Sequence, residues 1–399
     1  FSVASGDITN FFNEVDLNTP WDYHYENLDS RTILDRLAAV KYFVVKAGEE
    51  EYLPYGYDTL AAEAEKKDRL YRAYECKNAL PIGYNYDSYI PEKKYAKMST
   101  VEKQQALLQG VVLADSAVPE TTPEFNDREV PYKLVTGSGC KEKDGKLIIT
   151  KENAQAKLVF DGLDECETYL ITEGVDYEAL SPRELISDKK WNKMTLYEQK
   201  KVQYENSKWR YWKESQKAYI DVTGQFLDKT ISIFTDKYNA YSGRSDFLCN
   251  TGYSEKGKKS ITLTFENTGV YSYKDMKVVC QPMKNIESQT SRLGTESLKD
   301  VKIKNHELTG NISVSKDKVL VISLPYSEGF QAYVDSQKTD LKQANTMYMA
   351  LELTKGDHEI RITYYTPYLK TGLVLTCVGI LCYICVVLVC KKRRGNKET

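Results

Sequence analysis

The sequence is poor in the side chains and motifs that most often build metal, triad and phosphate sites. It has only three histidines, His24, His306 and His358, which are far apart and at no metal-ligand spacing. It lacks a Gly-x-Ser-x-Gly motif, a Gly-Lys-Ser/Thr motif and a complete dinucleotide fingerprint, since Gly137-Ser-Gly139 is an isolated turn. The sequence therefore predicts no metal site and no cofactor, and it assigns no catalytic residue.

Cysteine usage argues against a fold held together by disulfides. Of the nine cysteines, Cys377, Cys382, Cys385 and Cys390 lie in an apolar C-terminal stretch. The other five are scattered, and they show neither a disulfide framework nor a zinc spacing: Cys76, Cys140, Cys166, Cys249 and Cys280. At most one or two pairs are expected to bridge.

Excess charge of either sign is also missing. The 55 basic and 57 acidic residues are well mixed and leave a net charge of −2. The sequence therefore lacks the excess of basic residues that is typical of nucleic-acid-binding proteins. It also lacks an acidic run typical of a disordered tail. The mean hydropathy of −0.52 indicates a bulk that is soluble in water.

One long hydrophobic stretch, Leu373–Cys390, is present and has no charged residue, Asn, Gln or Pro. With the two residues before it, it reaches the ~20 residues that a helix needs to cross a bilayer. Tyr364, Tyr365 and Tyr368 precede it, and Lys391-Lys-Arg-Arg394 follows it. The sequence predicts a transmembrane helix over 370–390, a cytoplasmic tail over 391–399 and an extracytoplasmic bulk.

The chain begins with FSVASGD, without Met and without a leader-like apolar region. If the bulk lies outside the cell, we expect either a removed upstream signal or a larger protein with earlier membrane spans.

The remaining sequence predicts an α+β fold that is mainly β. Short strands are expected at residues 146–150, 156–160, 168–172, 229–235, 260–265, 277–280, 319–324 and 359–365. This spacing favours a β-sandwich region over 129–369, or two small sandwiches in tandem, with a helical insertion at about 182–218. A mixed α/β segment, 1–128, precedes it, with the boundary among the prolines of 119–131.

Several local signals predict helix positions and turns. Asp29 or Ser30 is expected to cap a helix containing Ile33 and Leu37, and an Ala- and charge-rich stretch predicts a helix over 59–69. Val40–Val45 is interpreted as a buried strand. Capping boxes are predicted at three Ser/Thr-x-x-Glu sequences, starting at Ser99, Ser181 and Thr195. Asp144-Gly145 predicts a hairpin turn.

Aromatic residues are the best candidates for ligand contact. The chain has 31 tyrosines, and three of its four tryptophans lie in the helical insertion. Rings near polar groups can stack on sugars, which makes these residues candidates for glycan binding: Tyr84, Tyr86, Trp191, Trp209 and Trp212. The alternative is that the tyrosines are packed in half-buried strands, where tyrosine is common.

The C-terminal third carries a pattern of turn and packing residues. Leu324-Pro325-Tyr326 with Gly329 is followed by Asp335, then Gly356-Asp-His358, and finally Tyr364 and Pro367. This pattern resembles the C-terminal signature of the YfhO-type bacterial membrane proteins. Three upstream stretches also match the family pattern: Asp29-Ser-Arg31, Ala39–Tyr42, and Glu75–Pro81 with Gly83. A fourth stretch, Tyr241–Arg244, matches it less well.

The sequence departs from the family pattern at two positions. Phe330 stands where Trp is usual and Ser336 where Gly is usual. Both changes affect packing or a turn rather than the family assignment. For Asp335 and His358 a structural role is favoured over ligand binding, although loop positions carry both kinds of role.

The resemblance implies a polytopic membrane protein with a GT-C-like bundle. Such proteins are likened to glycosyltransferases that modify cell-wall polymers, such as lipoteichoic acid, with a sugar from a polyprenyl phosphate. In that family the acidic catalytic residues lie in early exterior loops, which this sequence does not contain, so none is carried over. The expected partners are the lipid bilayer, a wall polymer and the lipid-linked sugar.

Two other functions stay open from the sequence. One is a non-enzymatic surface protein with a single membrane anchor, whose β-sandwich binds a glycan or a protein. The other is a subunit of a transporter or flippase.

Overall fold

The structure, a computed structural model, describes residues 6–17, 27–212, 216–224, 227–239 and 241–395, but not the side chains of 210–212 and 391–395. Strands make up 43% of the chain and helices 21%. The predicted mainly β, α+β class is therefore confirmed.

The elements follow one another along the chain in this way. The helices are α1 (Gly6–Glu14), α2 (Thr32–Leu37), α3 (Glu92–Tyr95), α4 (Thr100–Ala106), α5 (Asp188–Trp191), α6 (Leu196–Trp212), α7 (Ile286–Gly294) and α8 (Leu369–Gly395), with a single 3-10 turn at Glu50–Tyr52. The strands up to residue 179 are β1 (Tyr42–Lys46), β2 (Tyr57–Lys66), β3 (Arg69–Cys76), β4 (Gly83–Tyr86), β5 (Tyr89–Pro91), β6 (Val111–Leu113), β7 (Arg128–Val130), β8 (Tyr132–Thr136), β9 (Cys140–Lys143), β10 (Lys146–Ile149), β11 (Ala154–Phe160), β12 (Cys166–Glu173) and β13 (Asp176–Ala179). The later strands are β14 (Lys217–Thr223), β15 (Asp228–Phe234), β16 (Phe247–Ser254), β17 (Ser260–Phe265), β18 (Gly269–Ser272), β19 (Asp275–Pro282), β20 (Lys299–Lys304), β21 (Glu307–Val314), β22 (Lys318–Pro325), β23 (Phe330–Val334), β24 (Gln337–Thr339), β25 (Lys342–Ala344), β26 (Tyr348–Leu353) and β27 (Gly356–Tyr364).

Strands between residues 128 and 282 form a first sandwich. Its sheets have the orders β15-β14-β17-β11-β8, β16-β12-β19-β7 and β13-β18-β10-β9. Along β11 buried and exposed residues alternate without a break, the pattern expected when one face of a strand is buried. The inward residues, among them Leu158, Ile220 and Val278, form one core.

A second, smaller sandwich follows. Its sheets have the orders β20-β21-β27-β23-β24 and β25-β26-β22-β4. The sheet of β22 is buried on both faces. Leu320 and Ile322 face the core of this sandwich, and Val319 and Val321 face a third core with the N-terminal helices. Since β4 pairs with β22, residues 83–86 belong to the same sheet as β25 and β26.

All eight strands expected from the sequence are present, and so are both predicted hairpin turns. Asp144 and Gly145 have φ values of 52° and 71° between β9 and β10. Asp335 and Ser336 have φ values of 51° and 66° between β23 and β24. Two successive positive φ values are the mark of a type I′ turn.

The helix predicted over 59–69 is wrong. These residues belong to β2 and its turn into β3, and the pairing runs from Tyr57 opposite Cys76 to Lys66 opposite Arg69. Alanine and glutamate favour helices locally, but here the cross-strand pairing overrides that preference. The adjacent strand is also less buried than expected, since in β1 only Val45 is buried.

The capping predictions have mixed outcomes. Ser99 and Glu102 form a complete capping box at α4. Neither Asp29 nor Ser30 caps α2, whose N-cap is Arg31; both adopt positive φ values instead. Ser181 and Glu184 exchange the hydrogen bonds of a capping box, but turns follow it rather than a helix.

The insertion predicted as two helices contains α5 and α6. Ser187 caps α5 through the Lys190 amide. Thr195 and Glu198 form the predicted reciprocal hydrogen bonds at the start of α6.

The apolar C-terminal stretch forms one long helix, α8. Its apolar part, Leu369–Cys390, spans 22 residues with a mean hydropathy of 2.9 and is not buried by any of the residues that the structure describes. Only four residues separate the end of β27 from the start of α8. The second sandwich is therefore joined to α8 by a short link.

Candidate functional site

Trp191 lies at a small open cavity on the helical insertion. The cavity of about 300 Å³ is lined by Arg183, Trp191, Gln203, Asn206 and Ser207. The guanidinium carbon of Arg183 lies 4.4 Å from the Trp191 ring centroid. An aromatic ring among amide and hydroxyl groups is a suitable surface for a sugar, because the ring can stack and the polar groups can bond hydroxyls.

Local hydrogen bonds hold this cavity in shape. The Gln199 side-chain amide donates to the Trp191 carbonyl at 2.9 Å, and the Arg183 amide donates to Asn206 Oδ1 at 3.2 Å. Arg183 also donates to Asp188 and to the Ile186 carbonyl, both at 2.8 Å. The cavity is thus preorganised by contacts between the start of the insertion and α6.

Trp209, on the same insertion, does not line this cavity. Trp209 is half-buried and packs against the core of the first sandwich. It attaches α6 to the sandwich. The side chain of Trp212 lies outside the described residues.

Tyr84 and Tyr86 are not available to a glycan, so their assignment as binding residues is wrong. Their exposures are 0% and 1%. The Tyr84 hydroxyl donates to the Leu37 carbonyl at 3.0 Å, and the Tyr86 hydroxyl donates to the Leu107 carbonyl at 2.6 Å. Both rings lie on β4, in a sheet covered on both faces, so they are core residues.

The signature residues of the C-terminal third meet at the junction with α8. The Tyr365 amide donates to the Gly329 carbonyl at 2.9 Å. A Cβ at Gly329 would lie 2.4 Å from the Tyr365 carbonyl oxygen and 3.1 Å from Pro367. The rings of Phe330 and Tyr364 pack at 4.8 Å. This loop therefore needs glycine for close packing.

The same loop is joined to the second sandwich. Pro325 ends β22 opposite Tyr348, and the Tyr326 amide donates to the Met347 carbonyl at 2.7 Å. Pro325, Tyr326, Gly329, Tyr364 and Pro367 thus connect both sheets of the sandwich to the link before α8.

Asp335, His358 and Gly356 lie at the opposite end of β27. The Asp335 carboxylate accepts from His358 Nδ1 at 2.8 Å and from the Glu359 amide at 2.9 Å. Gly356 starts β27 with a φ of 147°, a conformation that favours glycine. These contacts join the β23–β24 turn to the start of β27.

A buried polar network joins α2 to the first sandwich, and sequence reasoning missed it. Glu167 on β12 accepts from the Thr32 amide at 3.0 Å, from the Thr32 hydroxyl at 2.5 Å and from the Tyr169 hydroxyl at 2.5 Å. The Asn250 amide donates to the carbonyls of Asp29 and Ser30 at 3.1 and 3.0 Å. Only the match of Asp29-Ser-Arg31 to the family pattern pointed here.

Burial dominates the electrostatics of this network. It raises the pKa of Glu167, although hydrogen bonds from Thr32 and Tyr169 oppose the change. It also raises the pKa of Asp35 well above its ordinary range, with the charges of Glu167 and Asp29 adding to the effect. Lys229 lies 2.5 Å from Asp29 and partly compensates that carboxylate.

A further cavity, of about 590 Å³, lies beside the membrane junction. Residues distant in sequence line it: Ala39 and Lys41 before β1, Cys76–Pro81 after β3, and Leu324 in β22. Three of the stretches that resemble the family pattern therefore converge on one cavity, which is mostly apolar with two lysines at its edge.

Within the described residues no cluster of three or more His, Cys, Asp or Glu side chains could hold a metal ion. The aromatic and apolar cavities are suited to binding.

The comparison with known families gives a match over nearly the whole chain. A family model described as "Bacterial membrane protein YfhO" matches residues 1–376. The uncharacterized protein YfhO of Bacillus subtilis (strain 168) is 21% identical over 411 residues, which cover 99% of this chain and 41% of that protein. The chain thus spans about two fifths of the length of this relative.

Two solved structures show weak similarity. A variant of the mycobacterial arabinofuranosyltransferase AftD is 13% identical, with a TM-score of 0.17 over 42% of this chain and 14% of AftD. A variant of the oxalate decarboxylase OxdC from Bacillus subtilis is 6% identical, with a TM-score of 0.10 over 62% of this chain and 76% of OxdC. At these TM-scores neither structure bears on fold or function.

Proposed function

The chain belongs to the YfhO family of bacterial membrane proteins, and we propose that it is the extracytoplasmic, acceptor-binding part of a membrane glycosyltransferase. In this proposal the two sandwiches stand outside the cell and α8 anchors them. The acceptor is a cell-wall polymer of the lipoteichoic-acid type, and the sugar comes from a polyprenyl phosphate. Catalysis is assigned to other parts of the full-length protein.

One observation carries the binding role: the Trp191 cavity. It combines an aromatic ring with the polar side chains of Gln203, Asn206 and Ser207. It lies on an insertion that Trp209 attaches to the first sandwich. A cavity of this chemistry on a membrane-anchored domain is suited to holding one sugar unit of a polymer near the membrane.

The proposed orientation follows from the residues around α8. Tyr365 and Tyr368 are exposed just before the helix, where aromatic rings favour the headgroup region. Lys391-Lys-Arg-Arg394 ends it, and basic residues favour the cytoplasmic side.

The binding role is tested with Trp191→Ala in the full chain, with Tyr197→Ala as the matched control. Tyr197 lies on the same insertion, is 79% exposed and does not line the cavity. We expect Trp191→Ala to weaken binding of purified lipoteichoic acid about 3- to 10-fold, because a stacked ring contributes about 0.5–1.5 kcal/mol. Equal affinity for both variants would contradict the binding role.

The enzymatic role needs a separate experiment. Deleting the full-length gene should abolish wall-polymer glycosylation, and restoring it with Trp191→Ala should give only partial recovery. If deletion leaves glycosylation unchanged while the Trp191 effect on binding holds, the non-enzymatic surface protein is the better description.

Orientation is tested by adding protease to intact cells. We expect cleavage in the bulk of the chain and protection of the basic C-terminus. Cleavage restricted to the C-terminus would invert the proposed topology.

A further inference from the structure

The 590 Å³ cavity lies at the end of the second sandwich that faces the membrane. Only four residues connect the end of β22 to the start of β23, and β23 starts with Phe330 opposite Tyr364 at the end of β27. The ends of β22 and β27 are therefore at the same end of the sandwich. Since β27 leads to α8, this end is the one near the bilayer.

The other walls of the cavity are held at the same end. Gly83 starts β4 opposite Ile322 near the end of β22, and the Ser323 amide donates to the Ile82 carbonyl at 2.8 Å. Leu80 and Pro81 immediately precede this contact. The cavity wall at Leu324 is five residues from Gly329, so it lies within about 18 Å of the residue that bonds to Tyr365.

The cavity is amphipathic. Leu80, Pro81 and Leu324 provide an apolar wall, and Lys41 and Lys77 provide amines at the rim. Lys41 pairs with Glu75 at 3.0 Å and remains 55% exposed at its side chain. Lys77 is exposed and has no carboxylate partner in the described part of the chain. Next to Lys41, Tyr42 and Val44 are 48% and 59% exposed.

We propose that this cavity binds the phosphate headgroup of an anionic phospholipid, so that the second sandwich contacts the bilayer surface at a second place besides α8. The Lys77 amine, supported by Lys41, faces the phosphate diester, and the apolar wall receives the glycerol and first methylenes. Exposed Tyr42 and Val44 extend this contact along the interface. The contact would fix the tilt of the sandwiches over the membrane.

Two features favour a lipid over a soluble anion. A free phosphate would gain nothing from the apolar wall, whereas a lipid uses both parts of the cavity. The position is also continuous with the membrane junction through Leu324–Gly329. The inference needs only the membrane helix, and it is independent of the proposed glycosylation.

The test is lysine acetylation of the full chain in nanodiscs, read out for each lysine by mass spectrometry. In phosphatidylglycerol-containing discs, compared with phosphatidylcholine discs, Lys77 should react about fivefold more slowly. This is the ratio that corresponds to ~1 kcal/mol per basic residue at an anionic surface. Lys355, exposed at the far end of β27, is the matched control and should react equally in both. Equal protection of Lys77 in the two lipids would overturn the proposal.

A variant separates a built site from general attraction to the surface. Lys77→Gln changes an exposed side chain, so the fold should be retained. It should reduce the protection of Lys41 and leave that of Lys370 unchanged. Unchanged protection of Lys41 would overturn the proposal, and so would full protection of Lys77 by inorganic phosphate in phosphatidylcholine discs.

Discussion

His358 is held between two acceptors, and one of them is the Asp335 carboxylate. Its Nδ1 lies 2.8 Å from Asp335 Oδ2, and its Nε2 lies 2.8 Å from the Thr354 carbonyl oxygen. A neutral imidazole has one N–H and can donate to only one of them, so both hydrogen bonds form together only in the imidazolium. His358 therefore joins the β23–β24 turn, at Asp335, to the β26–β27 turn, at Thr354, and its bond to Asp335 is charge-assisted.

The first prediction is a pH dependence of stability from this pair. Burial lowers the pKa of His358, but the hydrogen bonds to Asp335 and Thr354 outweigh it, and the net shift is upward from 6.5. The stabilisation is thus complete below pH 6.5 and is lost as pH rises through the raised pKa. The hydrogen bond from His358 lowers the pKa of Asp335 from its ordinary value of 3.8. The stability that the ionised Asp335 contributes is therefore lost only when the pH falls through this lowered pKa.

Between about pH 5 and about pH 9 we expect the pair to lose up to about 1 kcal/mol, a small value because Asp335 is half-exposed. Thermal unfolding of the detergent-solubilised chain measures it. Asp335→Asn should flatten this pH dependence, whereas His306→Gln, at an exposed turn, should preserve it. Equal pH profiles for wild type and Asp335→Asn would show that the pair does not stabilise the fold.

The second prediction concerns the Glu167 network. Glu167→Ala leaves the Thr32 amide and the hydroxyls of Thr32 and Tyr169 without their acceptor in a buried site. We expect a loss of about 3 kcal/mol in the free energy of unfolding. The matched control is Glu152→Ala in an exposed turn, which should change it by less than about 0.5 kcal/mol. Urea titration measures both, and similar midpoints would contradict the stabilising role.

The third prediction concerns packing at the membrane junction. Gly329→Ala places a Cβ too close to the Tyr365 carbonyl, so the loop or the link before α8 must shift, at a cost of about 1–3 kcal/mol. Gly372→Ala in α8 meets nothing within 4 Å and serves as the control. Thermal unfolding should give a lower midpoint temperature for Gly329→Ala than for Gly372→Ala. An unchanged midpoint for Gly329→Ala would show that the junction is not tightly packed.

The fourth prediction concerns the thiols outside the membrane helix. All five are buried and unbridged, which is within the limit of at most one or two bridged pairs set by the sequence. Burial raises the pKa of Cys140 to about 11 and that of Cys166 to about 12, so few thiolates exist near pH 8.

A polar maleimide should therefore leave these five thiols unmodified until denaturant is added. The control is Thr122→Cys at an exposed position, which should be modified at once. Rapid modification of Cys76, Cys140, Cys166, Cys249 or Cys280 in the folded chain would contradict their burial.

Local signals predicted those parts of the fold that depend only on neighbours in sequence. The Asp144-Gly145 and Asp335-Ser336 turns and the capping boxes at Ser99 and Thr195 are of this kind, because their hydrogen bonds join residues at most four apart. The failures are equally specific. The helix expected over 59–69 became β2, because a partner strand was available to satisfy its backbone.

The candidate sites were less predictable. Trp191 was identified from its residue type alone, but Asn206, which lines the same cavity, is far along α6 and carries no sequence signal. The sequence around Tyr84 and Tyr86 suggested exposed aromatic residues. The pairing of β4 with β22 places them between two cores, where both are buried. One partner of Glu167, Thr32 on α2, is 135 residues away, so no local pattern could indicate it.

The sequence by itself determined the long apolar C-terminal helix, the mainly β class and the family, because uninterrupted hydrophobicity, alternation and short turn motifs are readable without a partner. Only the tertiary structure decided which aromatic residues are buried, where the polar network lies and which stretches meet around the cavity lined by Leu324. The physical reason is that burial and ion pairing depend on residues that are distant in sequence, and their positions follow from the packing of whole sheets.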